Sequence, residues 1–231
     1  MLPLKDTIRS YSFPAINWLI IIANLVVFLY ETSLGPQQLD RLVTTYGVVP
    51  ARLLAGGPPQ FITLFTGMFL HGGWLHVISN LWALYIFGDN VEDRMGSLRY
   101  LVFYLLGGLI GGLAQVYVDP ASNIPAIGAS GAIATVLGAY LVLFPTSRVI
   151  TLVPVFFLPW FIEIPAVLYL LFWGISQLYS GVLALGLTSA QGGVAYWAHI
   201  GGFLSGLLLV SFFAHRSRAP ARRYDDEYSP W

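Results

Sequence analysis

Long apolar runs separated by short polar segments dominate the pattern of this 231-residue chain. A helix needs about 20 predominantly apolar residues to cross the hydrocarbon core of a bilayer. Six runs approach this length, although the second and fourth are short and are interrupted by glycine or polar residues. The pattern therefore predicts six membrane-spanning helices, at residues 16–30, 75–87, 98–118, 130–144, 164–183 and 194–214.

Two segments outside the predicted helices are long enough to describe separately, the first loop and the C-terminal tail. Residues 31–74 form a long first external loop, broken by prolines and glycines, and its mixed segments are typical of short amphipathic helices at the membrane interface. Residues 215–231 are polar and contain two prolines, which favours a disordered tail. The sequence thus predicts one membrane domain at 1–214 and a tail at 215–231, with no internal repeat of the kind that transporters use.

Composition supports this class and excludes others. Hydrophobic residues make up 57% of the chain, charged residues 10%, and the mean hydropathy is +0.73, which indicates an integral membrane protein. The formal net charge is zero, which argues against nucleic acid as a partner. The absence of cysteine excludes disulfides and thiol catalysis. The first apolar run lacks a small-residue cleavage site, so we expect an uncleaved span rather than a signal peptide.

Charge distribution predicts the orientation of the bundle. Nine of the eleven lysine and arginine residues lie on one side of the predicted spans, and only Arg41 and Arg52 lie on the other. The positive-inside rule then places both termini in the cytoplasm. With that topology the second, fourth and sixth spans run inward from the outer face. We therefore expect four polar residues near their starts to share one depth, namely His76, Asn80, Ser130 and His199.

These four residues are the types that serine-dependent hydrolysis needs. A histidine such as His199 can remove the proton from a serine hydroxyl such as Ser130 when the two side chains are within hydrogen-bonding distance. His76 and Asn80 lie about one turn apart on one helix face, as expected of two donors to an oxyanion. Gly128 and Gly131 would let a substrate backbone approach closely. The predicted fourth span is about 22 Å long, so Ser130 should lie below the outer surface, where a hydrolase needs water access.

Packing explains each of these residues equally well when it is taken alone. The sequence from Gly128 to Gly131 is also a small-residue helix contact, and His199 can be a buried histidine bonded to a carbonyl. His76 and Asn80 can be ordinary interhelical hydrogen-bonding residues. Small-residue pairs on the fourth and sixth spans, Ala134 with Gly138 and Gly202 with Gly206, predict a close helix contact under either interpretation. His71 and His76 project about 140° apart on a helix, which does not favour a metal site.

Three segments resemble the signatures of the rhomboid intramembrane serine proteases. They are His-Gly-Gly-Trp-Leu-His-Val-Ile-Ser-Asn at 71–80, Gly-Ala-Ser-Gly at 128–131, and Ala-His-Ile-Gly-Gly at 198–202 followed by Gly206. Residues 88–96 resemble the turn after the family's second span, and Ile164-Pro165-Ala166 with Gln177 resembles its fifth span. The resemblance covers about residues 61–206 and implies an all-α membrane protein, a six-span bundle with both termini cytoplasmic.

The resemblance also implies roles for individual residues. Ser130 would be the nucleophile and His199 the general base, without an acidic third member. The Ser130 backbone N–H would form the oxyanion hole with His76 and Asn80. His71 would support the first loop and water access, and Glu92 would tie that loop's helices or the second span. Substrates would be single-pass membrane proteins cut near the outer membrane face, without metal or cofactor. The expected location is a bacterial inner membrane.

Two positions depart from the better-known bacterial pattern. Ala134 replaces a tyrosine on which the histidine ring packs, and Ile62-Thr63 replaces a Trp-Arg pair that anchors the first loop. The fifth span is thought to act as a lateral gate in this family, and we expect four bulky residues to close it: Trp160, Phe161, Phe172 and Trp173. Two other functions stay open, a non-proteolytic binder of membrane helices and a small transporter or channel.

Overall fold

The computed structural model describes residues 2–155, 158–185 and 193–215. The first loop contains three short helices and two 3-10 turns, Pro58–Ile62 and Gly67–Phe69. The helices are α1 (Ala15–Thr32), α2 (Pro36–Tyr46), α3 (Pro50–Ala55), α4 (Thr63–Thr66), α5 (Trp74–Met95), α6 (Ser97–Val118), α7 (Ser130–Leu143), α8 (Ala166–Leu185) and α9 (Tyr196–Phe213). The strands are β1 (Leu2–Asp6), β2 (Arg148–Val155) and β3 (Leu158–Pro165).

Four of the described helices are long and apolar enough to cross a membrane: α1, α6, α8 and α9. Residues Pro58–Phe69 and α5 pass the same test together as a pair bent by 83°. Helix α7 is apolar but has 14 residues, about 21 Å of helix, as the short predicted fourth span requires. These helices give four or five candidate spans, so the six-span count and the cytoplasmic termini stay predictions.

Helix α7 lies at the centre of the helical core. Every residue from Gly131 to Tyr140 is buried. Its contact with α9 depends on glycine: a Cβ atom added to Gly202 would lie 2.0 Å from the Gly131 carbonyl oxygen, and one added to Gly206 would lie 2.1 Å from the Thr135 carbonyl oxygen. The predicted small-residue contact between these helices is therefore confirmed. It brings the N-terminal turns of α7 and α9 side by side.

A three-stranded antiparallel sheet contradicts the all-α prediction. Strand β2 pairs with β1 on one side and with β3 on the other. The segment 148–165 is rich in β-branched and aromatic residues, and its internal prolines, Pro154 and Pro159, disfavour a helix. The strands also move the start of the fifth helix from the predicted residue 164 to Ala166.

The end of α5 remote from His76 is a hydrogen-bonded polar cluster. The Glu92 carboxylate accepts bonds from the backbone N–H groups of Ile16 and Asn17, at 3.1 and 2.7 Å, and from the Ser97 hydroxyl at 2.5 Å. Glu92 therefore satisfies free N–H groups at the start of α1 and joins α1, α5 and α6. These bonds attach the second predicted span to its neighbours, in line with one of the two roles predicted for Glu92. Both roles stay predictions.

Candidate active site

The hydroxyl of Ser130 and the ring of His199 form a hydrogen bond. The Oγ atom lies 2.6 Å from Nε2. Ser130 is the first residue of α7, so its backbone N–H belongs to the helical turn that has no partner within the helix. His199 lies in the first turn of α9 and is buried. Two residues 69 positions apart in the chain are thus placed in the geometry of a nucleophile and its base.

The other ring nitrogen of His199 is held by helix α8. Nδ1 lies 2.7 Å from the Oε1 atom of Gln177, and the Trp173 ring lies beside the imidazole with centroids 5.9 Å apart. An amide oxygen accepts a proton from Nδ1, which leaves the Nε2 lone pair free for the Ser130 hydroxyl. Sequence reasoning assigned no role to Gln177. The spacing of Trp173 and Gln177, four residues apart and therefore on one helix face, was the available signal.

The position of the replaced tyrosine, Ala134, is filled by α9. Ala134 is fully buried, and its Cβ atom lies 3.2 Å from the place where a Cβ atom of Gly202 would be. The backbone of α9 thus occupies the space that a tyrosine side chain would need. The His199 ring is supported from the α8 side instead, by Trp173 and Gln177.

His76 faces the residue that precedes the α7 turn. The Gly72 backbone N–H donates to His76 Nδ1 at 3.3 Å, which leaves Nε2 as the protonated nitrogen. A Cβ atom on Gly128 would lie 2.6 Å from that Nε2 and 3.6 Å from Ser130 Oγ. Gly128 has φ = +124°, a conformation that favours glycine. Glycine at this position therefore leaves room between the His76 imidazole and the Ser130 hydroxyl.

Asn80 lies one turn further along α5 and supplies an unused donor. The residue is 6% exposed, and its Nδ2 atom is buried with no hydrogen-bond partner among the described residues. Most buried polar groups are paired, and an unpaired one is costly. An amide N–H group that is buried without a partner is suited to donate a hydrogen bond to an oxygen atom of a bound ligand.

His71 is held in the first loop by a residue that sequence reasoning missed. The Glu31 carboxylate, on α1, accepts the backbone N–H of His71 with both oxygens at 3.2 Å. The His71 ring contacts the carbonyl of Phe69 through Nδ1 at 3.2 Å and meets the His76 ring edge to face, with centroids 5.0 Å apart. His71 thus contacts both α1 and α5, and its support of the first loop and of water access stays a prediction. An acidic residue near the end of an apolar span was the signal for Glu31.

The loop before Ser130 is attached to the first loop through backbone bonds. Val48 and Ala126 exchange hydrogen bonds of 3.0 and 2.8 Å, and the Gly128 N–H donates to the Gly67 carbonyl at 2.9 Å. These bonds anchor the first loop in a chain that has Ile62-Thr63 where the resemblance described above implies a Trp-Arg pair. They also fix the backbone directly before the α7 turn.

Two of the four residues predicted to close a gate lie elsewhere. Trp160 and Phe161 belong to β3. Phe172 and Trp173 are on α8, where Phe172 is exposed and Trp173 contacts His199. Movement of α8 stays a prediction. Among the residues that the structure describes, no three His, Asp or Glu side chains are grouped so that they could hold a metal ion.

Comparison with known proteins identifies the family. The Rhomboid domain model matches residues 58–216, more than half of the chain. Rhomboid protease GluP of Bacillus subtilis is 35% identical over 136 residues, which are 58% of this chain and 26% of that protein. RHOMBOID-like protein 1 of Arabidopsis thaliana is 33% identical over 156 residues, which are 66% of this chain and 34% of that protein.

Rhomboid protein 1, mitochondrial, of Saccharomyces cerevisiae is 28% identical over 152 residues, covering 64% of this chain and 40% of that protein. The chain therefore spans about a quarter to two fifths of the length of these relatives. They come from a bacterium, a plant and a yeast, so the bacterial inner membrane stays a prediction. Its domain match and its apolar helices establish that this chain is an integral, multi-pass membrane protein of the rhomboid family.

Proposed function

We propose that this protein is an intramembrane serine endopeptidase that cleaves transmembrane segments of single-pass membrane proteins near the outer membrane face. The observation that carries the proposal is the 2.6 Å bond between Ser130 Oγ and His199 Nε2, at the free N-terminus of α7. The names of relatives such as Rhomboid protease GluP support the same reaction class. We also propose six spans with both termini cytoplasmic, in line with the charge distribution.

In the first half of the reaction, His199 Nε2 takes the Ser130 hydroxyl proton while Oγ bonds to the scissile carbonyl carbon. Negative charge develops on the carbonyl oxygen. We assign its stabilisation to the Ser130 backbone N–H, the His76 Nε2–H and the Asn80 amide. The C–N bond then breaks, and His199 returns the proton to the leaving amine. The product is an ester between Ser130 and the new carboxyl end.

In the second half, water attacks the ester carbon while His199 takes one of its protons. The C–Oγ bond breaks and the proton passes from His199 to Ser130 Oγ, which restores the resting state. Gln177 acts as a positioning residue in both halves. Its Oε1 atom fixes the imidazole tautomer in which Nε2 is able to accept a proton.

Purified protein in proteoliposomes, mixed with a single-span substrate, tests the proposal. We expect cleavage and labelling of Ser130 by a fluorophosphonate, with both lost in Ser130→Ala and His199→Ala. A non-proteolytic binder of membrane helices would retain the substrate without cleaving it and without labelling. Cleavage that persists in purified Ser130→Ala protein would overturn the proposal. Ser211→Ala is a matched control. Ser211 lies on the exposed side of α9, so this variant should leave both signals unchanged.

A further inference from the structure

The hairpin formed by β2 and β3 has an apolar outer half that the proposed reaction does not use. Residues 152–162 contain no charged side chain, and the Trp160 indole N–H is their one side-chain hydrogen-bond donor. Three of them are strongly exposed in β3: Leu158 by 63%, Trp160 by 55% and Phe161 by 66%. Exposed apolar surfaces of this kind mark contacts with a membrane or with another protein.

Both faces of the hairpin are apolar in this outer half. Side chains alternate between faces along a strand, so Trp160 and Phe161 point to opposite sides. Near the base, one face is covered by the bundle, because Val149 and Thr151 are fully buried. The charged residues of the two strands are confined to the base, where Arg148 and Glu163 form an exposed ion pair at 3.5 Å.

The apolar surface continues directly onto α8. Strand β3 ends at Pro165 and α8 begins at Ala166. The first turns of α8 expose Leu168, Leu171 and Phe172, as expected of a helix that faces lipid. The hairpin thus extends the lipid-facing surface of a membrane helix beyond the start of that helix.

These features favour lipid over a protein partner. A protein interface has an apolar centre with a polar rim and about one hydrogen bond per 100–200 Å², and the side chains of residues 152–162 supply one donor, the Trp160 indole N–H. The position of β3 at the edge of the sheet sets a limit on depth, because an unpaired strand edge is not tolerated in the hydrocarbon core. Tryptophan and phenylalanine are suited to the boundary between head groups and acyl chains.

We propose that the described outer residues of the hairpin, 152–154 and 158–162, insert into the interface of the lipid leaflet next to the start of α8 and form a membrane anchor. The Arg148–Glu163 pair then lies at the head-group level, and the apolar side chains beyond it contact acyl chains. The inserted hairpin holds the first turn of α8 at a fixed depth.

Spin labels on single cysteines test this proposal, because the native chain contains no cysteine. Phe161→Cys is labelled in proteoliposomes of phosphatidylcholine and phosphatidylglycerol, and collisions with oxygen and with a water-soluble nickel chelate are measured. Phe172→Cys on α8 is the lipid reference, and Asp40→Cys, exposed on α2, is the aqueous reference. We expect the Phe161 label to meet oxygen more often than the nickel chelate, as the Phe172 label does.

Two results would overturn the anchor. A Phe161 label as accessible to the nickel chelate as the Asp40 label would place the hairpin in water. A label shielded from both reagents, with dipolar broadening that grows with protein density, would show a contact between two copies of the chain. Neither readout depends on proteolysis, so the result stands whether or not Ser130 is a nucleophile. The Leu158→Cys variant repeats the measurement at a second exposed position.

Discussion

Buried polar side chains lie at or beside both ends of helix α5. Near one end two of them lack hydrogen-bond partners among the described residues, and at the other end they are paired. At the end near Ser130, the Asn80 Nδ2 and the His71 Nε2 lack a partner among the described residues. At the other end, Glu92 accepts three bonds, and Asn90 donates to Asp6 at 2.9 Å. Satisfied polar groups stabilise a fold, whereas unsatisfied buried donors destabilise it and persist where a ligand uses them.

This difference suggests that the residues near one end of α5 serve turnover and that those at the other end serve stability. If the unsatisfied end is kept for a reacting oxygen, its residues should affect turnover and leave stability unchanged or higher. If the satisfied end is structural, its residues should affect stability and leave the chemistry intact. Substitutions at the two ends should therefore have opposite effects on the two measurements.

The largest effect is expected from Asn80→Ala. Loss of one oxyanion donor reduces kcat by about 10²–10³-fold, so we expect a reduction of this size. The thermal unfolding midpoint should not fall, because the substitution removes a buried donor that has no partner. Turnover in proteoliposomes and thermal unfolding in detergent measure the two effects. A loss of stability with unchanged kcat would assign Asn80 to the structure instead.

Glu92→Ala should show the reverse pattern. The substitution leaves the backbone N–H groups of Ile16 and Asn17 and the Ser97 hydroxyl without their acceptor. We expect the free energy of unfolding to fall by roughly 2–3 kcal/mol, since each orphaned buried group costs about 1–3 kcal/mol and some regain water. Below the new midpoint, the fraction that remains folded should turn over substrate normally.

Glu163→Ala is the matched control for Glu92→Ala. It removes a carboxylate whose partner is the exposed Arg148. Exposed ion pairs contribute at most about 1 kcal/mol, so the midpoint should hardly change. Equal losses in the two variants would contradict the structural role of the Glu92 cluster.

Asp6 makes the stability of the satisfied end depend on pH. Its Oδ2 atom accepts bonds from the Asn90 amide and, at 2.5 Å, from the Tyr140 hydroxyl. Burial raises the pKa of this carboxyl from 3.8 to about 8, against the smaller opposing effect of the Tyr140 bond. The folded protein therefore keeps a proton that the unfolded chain loses. The associated stability is complete below pH 3.8 and is lost as the pH rises through 8.

We accordingly expect the protein to unfold more easily at pH 9 than at pH 6, by roughly 1–3 kcal/mol. Asp6→Asn resembles the protonated carboxyl and should remove most of this difference. Unfolding midpoints of both proteins at the two pH values provide the measurement. An equal pH dependence in Asp6→Asn would show that another group is responsible.

The sequence predicted more about the candidate site than about the sheet. Charge counting and apolar runs predicted one depth for His76, Asn80, Ser130 and His199, because depth in a membrane follows from the order of the spans. In the structure, Ser130 Oγ lies 2.6 Å from His199 Nε2. The Gly202 contact was also predictable, since small residues four apart mark close helix packing. These inferences use local spacing and one global constraint, the bilayer.

The sheet could not be found in the same way. Residues 148–165 are as apolar as a span, and apolar runs do not by themselves distinguish a strand from a helix. The pairing of β1 with β2 joins residues about 150 positions apart, which no local pattern encodes. Glu31 and Gln177 were missed for a related reason, because their partners lie on other elements: Glu31 binds the first loop, and Gln177 binds α9.

Gln177→Leu, on α8 beside the Ser130 site, should have the smallest of the expected effects on turnover. The leucine keeps most of the side-chain volume and removes the acceptor for His199 Nδ1, so a larger share of the imidazole adopts the wrong tautomer. We expect kcat to fall by about tenfold with KM unchanged, well below the roughly 10²–10⁴-fold that a positioned general base contributes.

Ser176→Ala is the control for that variant, because it removes the hydroxyl that accepts from Gln177 Nε2 at 3.2 Å and leaves the bond to His199 in place. It should retain nearly full turnover. A change in KM alone for Gln177→Leu would mean that the residue contacts the substrate rather than the base. A fall in kcat together with slower fluorophosphonate labelling would instead assign its effect to the Ser130–His199 pair, since labelling requires the nucleophile and its base but no transmembrane substrate.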